Sequence, residues 1–96
     1  MFRHVVMLSF TNPLEQKDHD YITGVCADMQ RELSGLVSLS FVANSADRSA
    51  GHTHAFVADF VDEASHENYQ QAPIHVPLKN RITELAKSVV VLDYEF

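Results

Sequence analysis

The chain has 96 residues, 46% hydrophobic and 21% charged, with 13 acidic against 7 basic side chains and a formal charge of −6. That balance argues against nonspecific binding to a phosphate backbone, and no apolar run approaches the roughly 20 residues of a membrane helix, so neither nucleic acid nor membrane is expected as a partner. A single cysteine, Cys26, excludes an intrachain disulfide framework and, with no signal-peptide pattern, the expected location is cytoplasmic. The length suits one domain spanning residues 1–96.

Arg3 to Phe10 alternates, with His4, Val6, Leu8 and Phe10 on one face and Arg3, Val5, Met7 and Ser9 on the other. Both faces have apolar character, so both are expected to be covered. Thr11-Asn12-Pro13 reads as a helix start. The following helix carries Ile22, Val25, Cys26, Met29 and Leu33 as one stripe and stops at Ser34-Gly35. Leu36 to Ala43 is predicted as the second strand, with Val37, Leu39, Phe41 and Ala43 on one face. A polar connection follows, and Thr53 to Val61 is predicted as the third strand, with His54, Phe56, Ala58 and Phe60 sharing a face. Asp62 can cap a short helix, Glu63 to Gln71, ended by Pro73, and Pro77 is predicted to open a last helix whose buried stripe is Leu78, Ile82, Leu85 and Ala86. His75, bracketed by the two prolines, is expected outside continuous helix. Ser88 to Phe96 is predicted as the fourth strand, with Val89, Val91 and Asp93 opposed to Val90, Leu92, Tyr94 and Phe96.

The predicted order is β-α-β-β-α-β, a ferredoxin-like α+β sandwich: a four-stranded antiparallel sheet with its helices on one face. The other face would carry Val5, Met7, Val42, Ala55, Val57, Val89 and Val91. A water-facing sheet surface should be polar, so the simplest cover is a second copy, in a twofold homodimer packed sheet on sheet.

His4 and His54 fall on the helix side, and Tyr69 and His75 come from the segment that would close one end of the space between sheet and helices. Together they would surround an apolar cavity lined by Val6, Leu8, Phe41, Phe56, Leu78 and Leu92. Imidazoles exchange protons near neutrality and a phenol steadies an oxyanion, a set suited to proton abstraction beside a carbonyl or to aldol ring closure. The competing reading makes these histidines hydrogen-bonded core residues of a non-catalytic ligand-binding module. His52 and His66 have polar neighbours and are expected to be solvated, and His19 is expected on an exposed helix face. His52 and His54 form an HxH pair without a carboxylate third ligand, so no metal is expected, and nothing implies another cofactor. Cys26 reads as core.

HVVMLSF, THAFVADF, NYQQAPIHVPL and VVVLDYEF, in that order across the whole chain, resemble the stress-responsive A/B barrel (Dabb) family. The resemblance implies a dimeric α+β barrel. One branch of that family closes linear polyketides by cofactor-free aldol condensation. By likeness to it His4, His54, Tyr69 and His75 would line the pocket, with His75 as general base and Tyr69 holding it or the substrate. Two departures stand out: Ala72 replaces a histidine common before the proline, and Cys26 falls at about the place of a helix tyrosine. The family includes members with no assigned activity, which leaves the stress-response module open beside the enzyme.

Overall fold

Period-two alternation along the first ten residues builds the central strand, and the rest of the chain is laid against it. The computed structural model describes residues 1–96 as β1 (Phe2–Phe10), α1 (Gln16–Glu32), β2 (Leu36–Ala43), β3 (His54–Phe60), α2 (Glu63–Gln71), α3 (His75–Leu85) and β4 (Ala86–Glu95). The sheet order is β2-β3-β1-β4 with every neighbouring pair antiparallel, the ferredoxin-like arrangement the pattern predicts. Leu8, Ile22, Met29 and Phe60 are its largest fully buried side chains, packed with Phe2, Leu39, Phe56 and Leu78 between helices and sheet. No helix is long and apolar enough to cross a membrane.

Local chemistry sets the joints. Asp62 caps α2 by accepting from the Ser65 amide at 2.8 Å, as its position predicts. Gly35 has φ +84°, and its α-carbon lies so close to α2 that a β-carbon there would stand 2.1 Å from Ser65 Oγ. Only glycine suits both conditions. Arg81 of α3 donates to the buried Asp18 carboxylate of α1 at 2.8 Å and 3.1 Å, tying those two helices together.

Four expectations need correction. The first helix begins at Gln16, not after Asn12, and its cap residue Glu15 makes no side-chain bond. Thr11 instead spends its amide on Leu85 at 3.1 Å, joining the end of β1 to the end of α3. Val37 leaves the inner face because pairing skips from Leu36↔Phe60 to Ser38↔Asp59, a bulge that turns it outward. His75 lies inside α3 as its first residue. Pro77 is tolerated because the first-turn amides of a helix have no partner within it.

The fourth correction moves the most side chains. β4 pairs with β1 as His4↔Asp93, Val6↔Val91 and Leu8↔Val89, with Val5↔Leu92 and Met7↔Val90 alternating between them. Directly opposed residues share a face, so Val89, Val91 and Asp93 belong to the helix side. Leu92, expected in the cavity, lies on the opposite face, and Val89 and Val91, expected there, do not. The alternation in β4 is apolar in both phases and could not set its own direction.

Candidate active site

Three elements bring the site together. β1 carries His4 inward, the last turn of α2 presents Tyr69, and the start of α3 presents His75; all three are buried. The Tyr69 and His75 rings lie 4.4 Å apart between centroids, and His4 lies 6.1 Å from Tyr69. These residues line a cavity of about 220 Å³ whose apolar wall includes Val6, Phe56, Leu78, Ile82, Val89 and Val91.

Each polar group is set by a neighbour. Asp93, across from His4 on β4, brings a carboxylate oxygen to 2.5 Å from His4 Nδ1. A carboxylate accepts, so Nδ1 carries the proton and Nε2 is the nitrogen left for the cavity. His75 Nδ1 lies 3.3 Å from the Gln70 carbonyl, which likewise can only accept. Its Nε2 therefore keeps a lone pair, and burial pushes the His75 pKa down, the Gln70 carbonyl opposing and Lys79 and the other imidazoles adding to it. Burial raises the Tyr69 hydroxyl well above the ordinary tyrosine value, so it stays a donor. No buried side-chain polar atom lacks a partner, and Tyr69 makes no side-chain hydrogen bond within the chain, which leaves its hydroxyl to the cavity. The result is one lone-pair base, one phenol donor and one carboxylate-backed imidazole around a small apolar space.

Not every expected residue is here. His54 lies opposite Leu8 in the sheet, four residues and about 13 Å along β1 from His4. It stacks on Phe41 at 5.1 Å and opens into a separate cleft of about 470 Å³ beside Thr11, Pro13 and His19. Burial and the nearby His19 lower its pKa. Phe41 goes with it, and Leu8, expected in the cavity wall, is wholly buried in the core and lines neither space. His52 lies outside β3, held by the Ser49 carbonyl at 3.0 Å and Ser88 Oγ at 3.1 Å, so the HxH pair does not converge. Cys26 is buried, its thiol pushed up to about 11. Tyr21, the nearest tyrosine on α1, is exposed and does not reach the cavity.

The family model for the Stress responsive A/B Barrel Domain (Dabb) matches residues 2–96. The chain belongs to the Dabb family. No curated protein matches it in sequence. Among solved structures, a dimeric ferredoxin-like protein of unknown function from Jannaschia sp. CCS1 superposes with a TM-score of 0.88 at 20% identity, over 99% of this chain and 98% of that one. A hydroxynitrile lyase from Passiflora edulis gives 0.83 at 24% identity, over 97% and 90%. A Dabb protein with a ferredoxin-like fold from Mesorhizobium loti gives 0.80 at 16%, over 99% and 95%. At these identities the likeness is one of fold.

Two residues beside His4 in this Dabb protein escape a reading of its sequence. His66, expected in water, is buried, its ring 4.5 Å from His4 and 4.9 Å from Phe2. Its place on α2, three residues before Tyr69, was the available signal: positions three apart share a helix face. Asp93, expected away from the helices with Val89 and Val91, pairs opposite His4. A carboxylate in an otherwise apolar strand, opposite an inward histidine, was the clue to the true phase.

Proposed function

We propose that this Dabb protein acts on a small carbonyl or phenolic molecule by cofactor-independent acid–base chemistry in the cavity between His4, Tyr69 and His75. What supports the reading is the convergence of the His75 lone pair and the Tyr69 hydroxyl on one apolar space, with Asp93 behind His4. The volume is below the roughly 300–1,000 Å³ of drug-sized sites, which favours a small ligand.

In the proposed step His75 Nε2 takes a proton from carbon next to a carbonyl. The electron pair of that C–H bond moves onto the carbonyl oxygen, where the Tyr69 hydroxyl donates to the developing charge, and His4, its proton held by Asp93, accepts from a substrate hydroxyl. The enolate either attacks a second carbonyl, an aldol closure in which His75 returns the proton to the new alkoxide, or is reprotonated elsewhere as an isomer. Neither route needs an oxidant. The Passiflora hydroxynitrile lyase makes carbon–carbon bond cleavage at a hydroxyl-bearing carbon a related candidate, in which the base takes the hydroxyl proton and cyanide departs. The hydrogen bond from His75 to a backbone carbonyl also suits the second reading, a stress-response module that binds without turnover.

The same proposal includes a homodimer. Val5, Met7, Val57, Val90 and Leu92 form an apolar sheet face away from the helices, and a second copy would cover it, as the dimeric description of the Jannaschia protein favours.

The test is ligand-detected binding and turnover with phenols, β-keto acids, lactones and cyanohydrins, comparing wild type with His75→Ala. Wild-type binding weakened by the substitution, together with turnover lost by at least about 10²-fold, is the expected result. Binding without turnover selects the non-catalytic module. Binding indifferent to His75, with circular dichroism unchanged, overturns the assignment of the cavity.

A further inference from the structure

His66 is unexplained by packing alone. It sits among Phe2, Phe60, His4 and Tyr69, where a hydrocarbon side chain would fill the space without burying a polar ring. Its one side-chain hydrogen-bond partner is the Gln70 amide, 3.0 Å from Nε2. On its other side are His4 and the Asp93 carboxylate, and one ligand-capable atom from each of the three residues lies within 4.8 Å of the others.

We infer that His4, His66 and Asp93 form a site for a divalent zinc-type cation. Two imidazoles and one carboxylate are the donor set that borderline ions such as Zn(II), Co(II) and Ni(II) take. Donors on tetrahedral bonds of about 2.0–2.1 Å stand about 3.4 Å apart, so side-chain rotations that bring the widest pair in by up to about 1.5 Å from the 4.8 Å limit close the set. The donors come from β1, α2 and β4, three elements of one packed core, and two of them are buried. The Gln70 amide can turn to donate or accept, whichever the bound imidazole requires, as outer partners of metal histidines do. Of the three donors, His4 also borders the cavity. An ion held here takes His4 and Asp93 away from the acid–base step, and it thereby sets whether that chemistry can run.

The inference does not depend on turnover, and neither does its test. Metal-stripped protein is titrated with Co(II), followed by visible absorption, and with Zn(II), followed by calorimetry. One ion per chain, with affinity reduced at least about tenfold in His66→Leu and in Asp93→Asn but unchanged in His52→Ala, is the expected outcome. The two variants on different elements guard against a folding defect in either, checked by circular dichroism. No one-to-one binding, wild-type affinity in a folded His66→Leu protein, or loss of binding in His52→Ala overturns the site. Binding of phenols by the metal-stripped protein tests the cavity separately.

Discussion

His75 has a place in a helix and a lone pair, and its titration follows from both. Burial lowers its pKa from the ordinary 6.5, so it is neutral at pH 7 and a base-dependent rate should stay level down to that value and fall only at lower pH. His54 and His66 are lowered as well, burial being the main cause in both. The sign for stability follows: below about pH 6.5 the unfolded chain binds protons that the folded chain refuses. Stability is therefore full above that pH and declines on acidification toward the folded-state values. Denaturant midpoints at pH 7.5 and 5.5 should show the drop, and His66→Leu should make it smaller. Asp93 acts differently, through His4. Asp93→Asn keeps the shape but replaces a carboxylate that can only accept with a neutral amide whose NH2 can donate, so the proton is no longer fixed on His4 Nδ1, and kcat should fall by about 10²-fold with ligand affinity little changed.

At the level of elements, the joint between the α1–β2 turn and α2 is the most sharply specified. Gly35→Ala would combine a left-handed backbone with a β-carbon 2.1 Å from Ser65 Oγ and 2.6 Å from its β-carbon. Equilibrium unfolding should register a loss of about 1–3 kcal/mol. Glycine there was legible in the sequence as a helix stop, but its closeness to α2 was not, because nothing local to residue 35 reports a residue thirty positions away. The same limit runs through the chain. Strands β1 and β3 could be read from alternation because only one phase put their phenylalanines together. β4 could not, since Val89 and Val91 are as apolar as Val90 and Leu92, and its phase is set by pairing with β1. His4, Tyr69 and His75 could be grouped from sequence because β1, α2 and the proline turn are each recognisable, and the structure brings the three to one cavity. His54 was misgrouped because sharing a face with His4 says nothing about position along it.

The whole molecule leaves β4 exposed on both sides: Val90 at 52% and Leu92 at 57% on the outer face, Val89 at 48% and Val91 at 52% beside the cavity. These two pairs have different predicted roles. Leu92→Asp should shift sedimentation toward a monomer, while Val89→Asp should leave association intact and weaken ligand binding. Arg3 marks the end of the outer face, gripping Asp59 at 2.7 Å and 2.9 Å and lying 4.6 Å over the Phe96 ring, so the apolar patch has a charged border that can set the angle of a second copy. Leu85 closes α3 and Ala86 opens β4 with nothing in between. Along a strand, adding or removing one residue exchanges the two faces. A single codon inserted at that junction and carried through the strand would present Leu92 to His4 in place of Asp93, and would turn the cavity wall outward. The polar connection at residues 44–53 has no such parity to keep. Length variation among descendants of this gene should therefore accumulate in that loop and be purged at residues 85 and 86, where the count of residues is itself part of the chemistry.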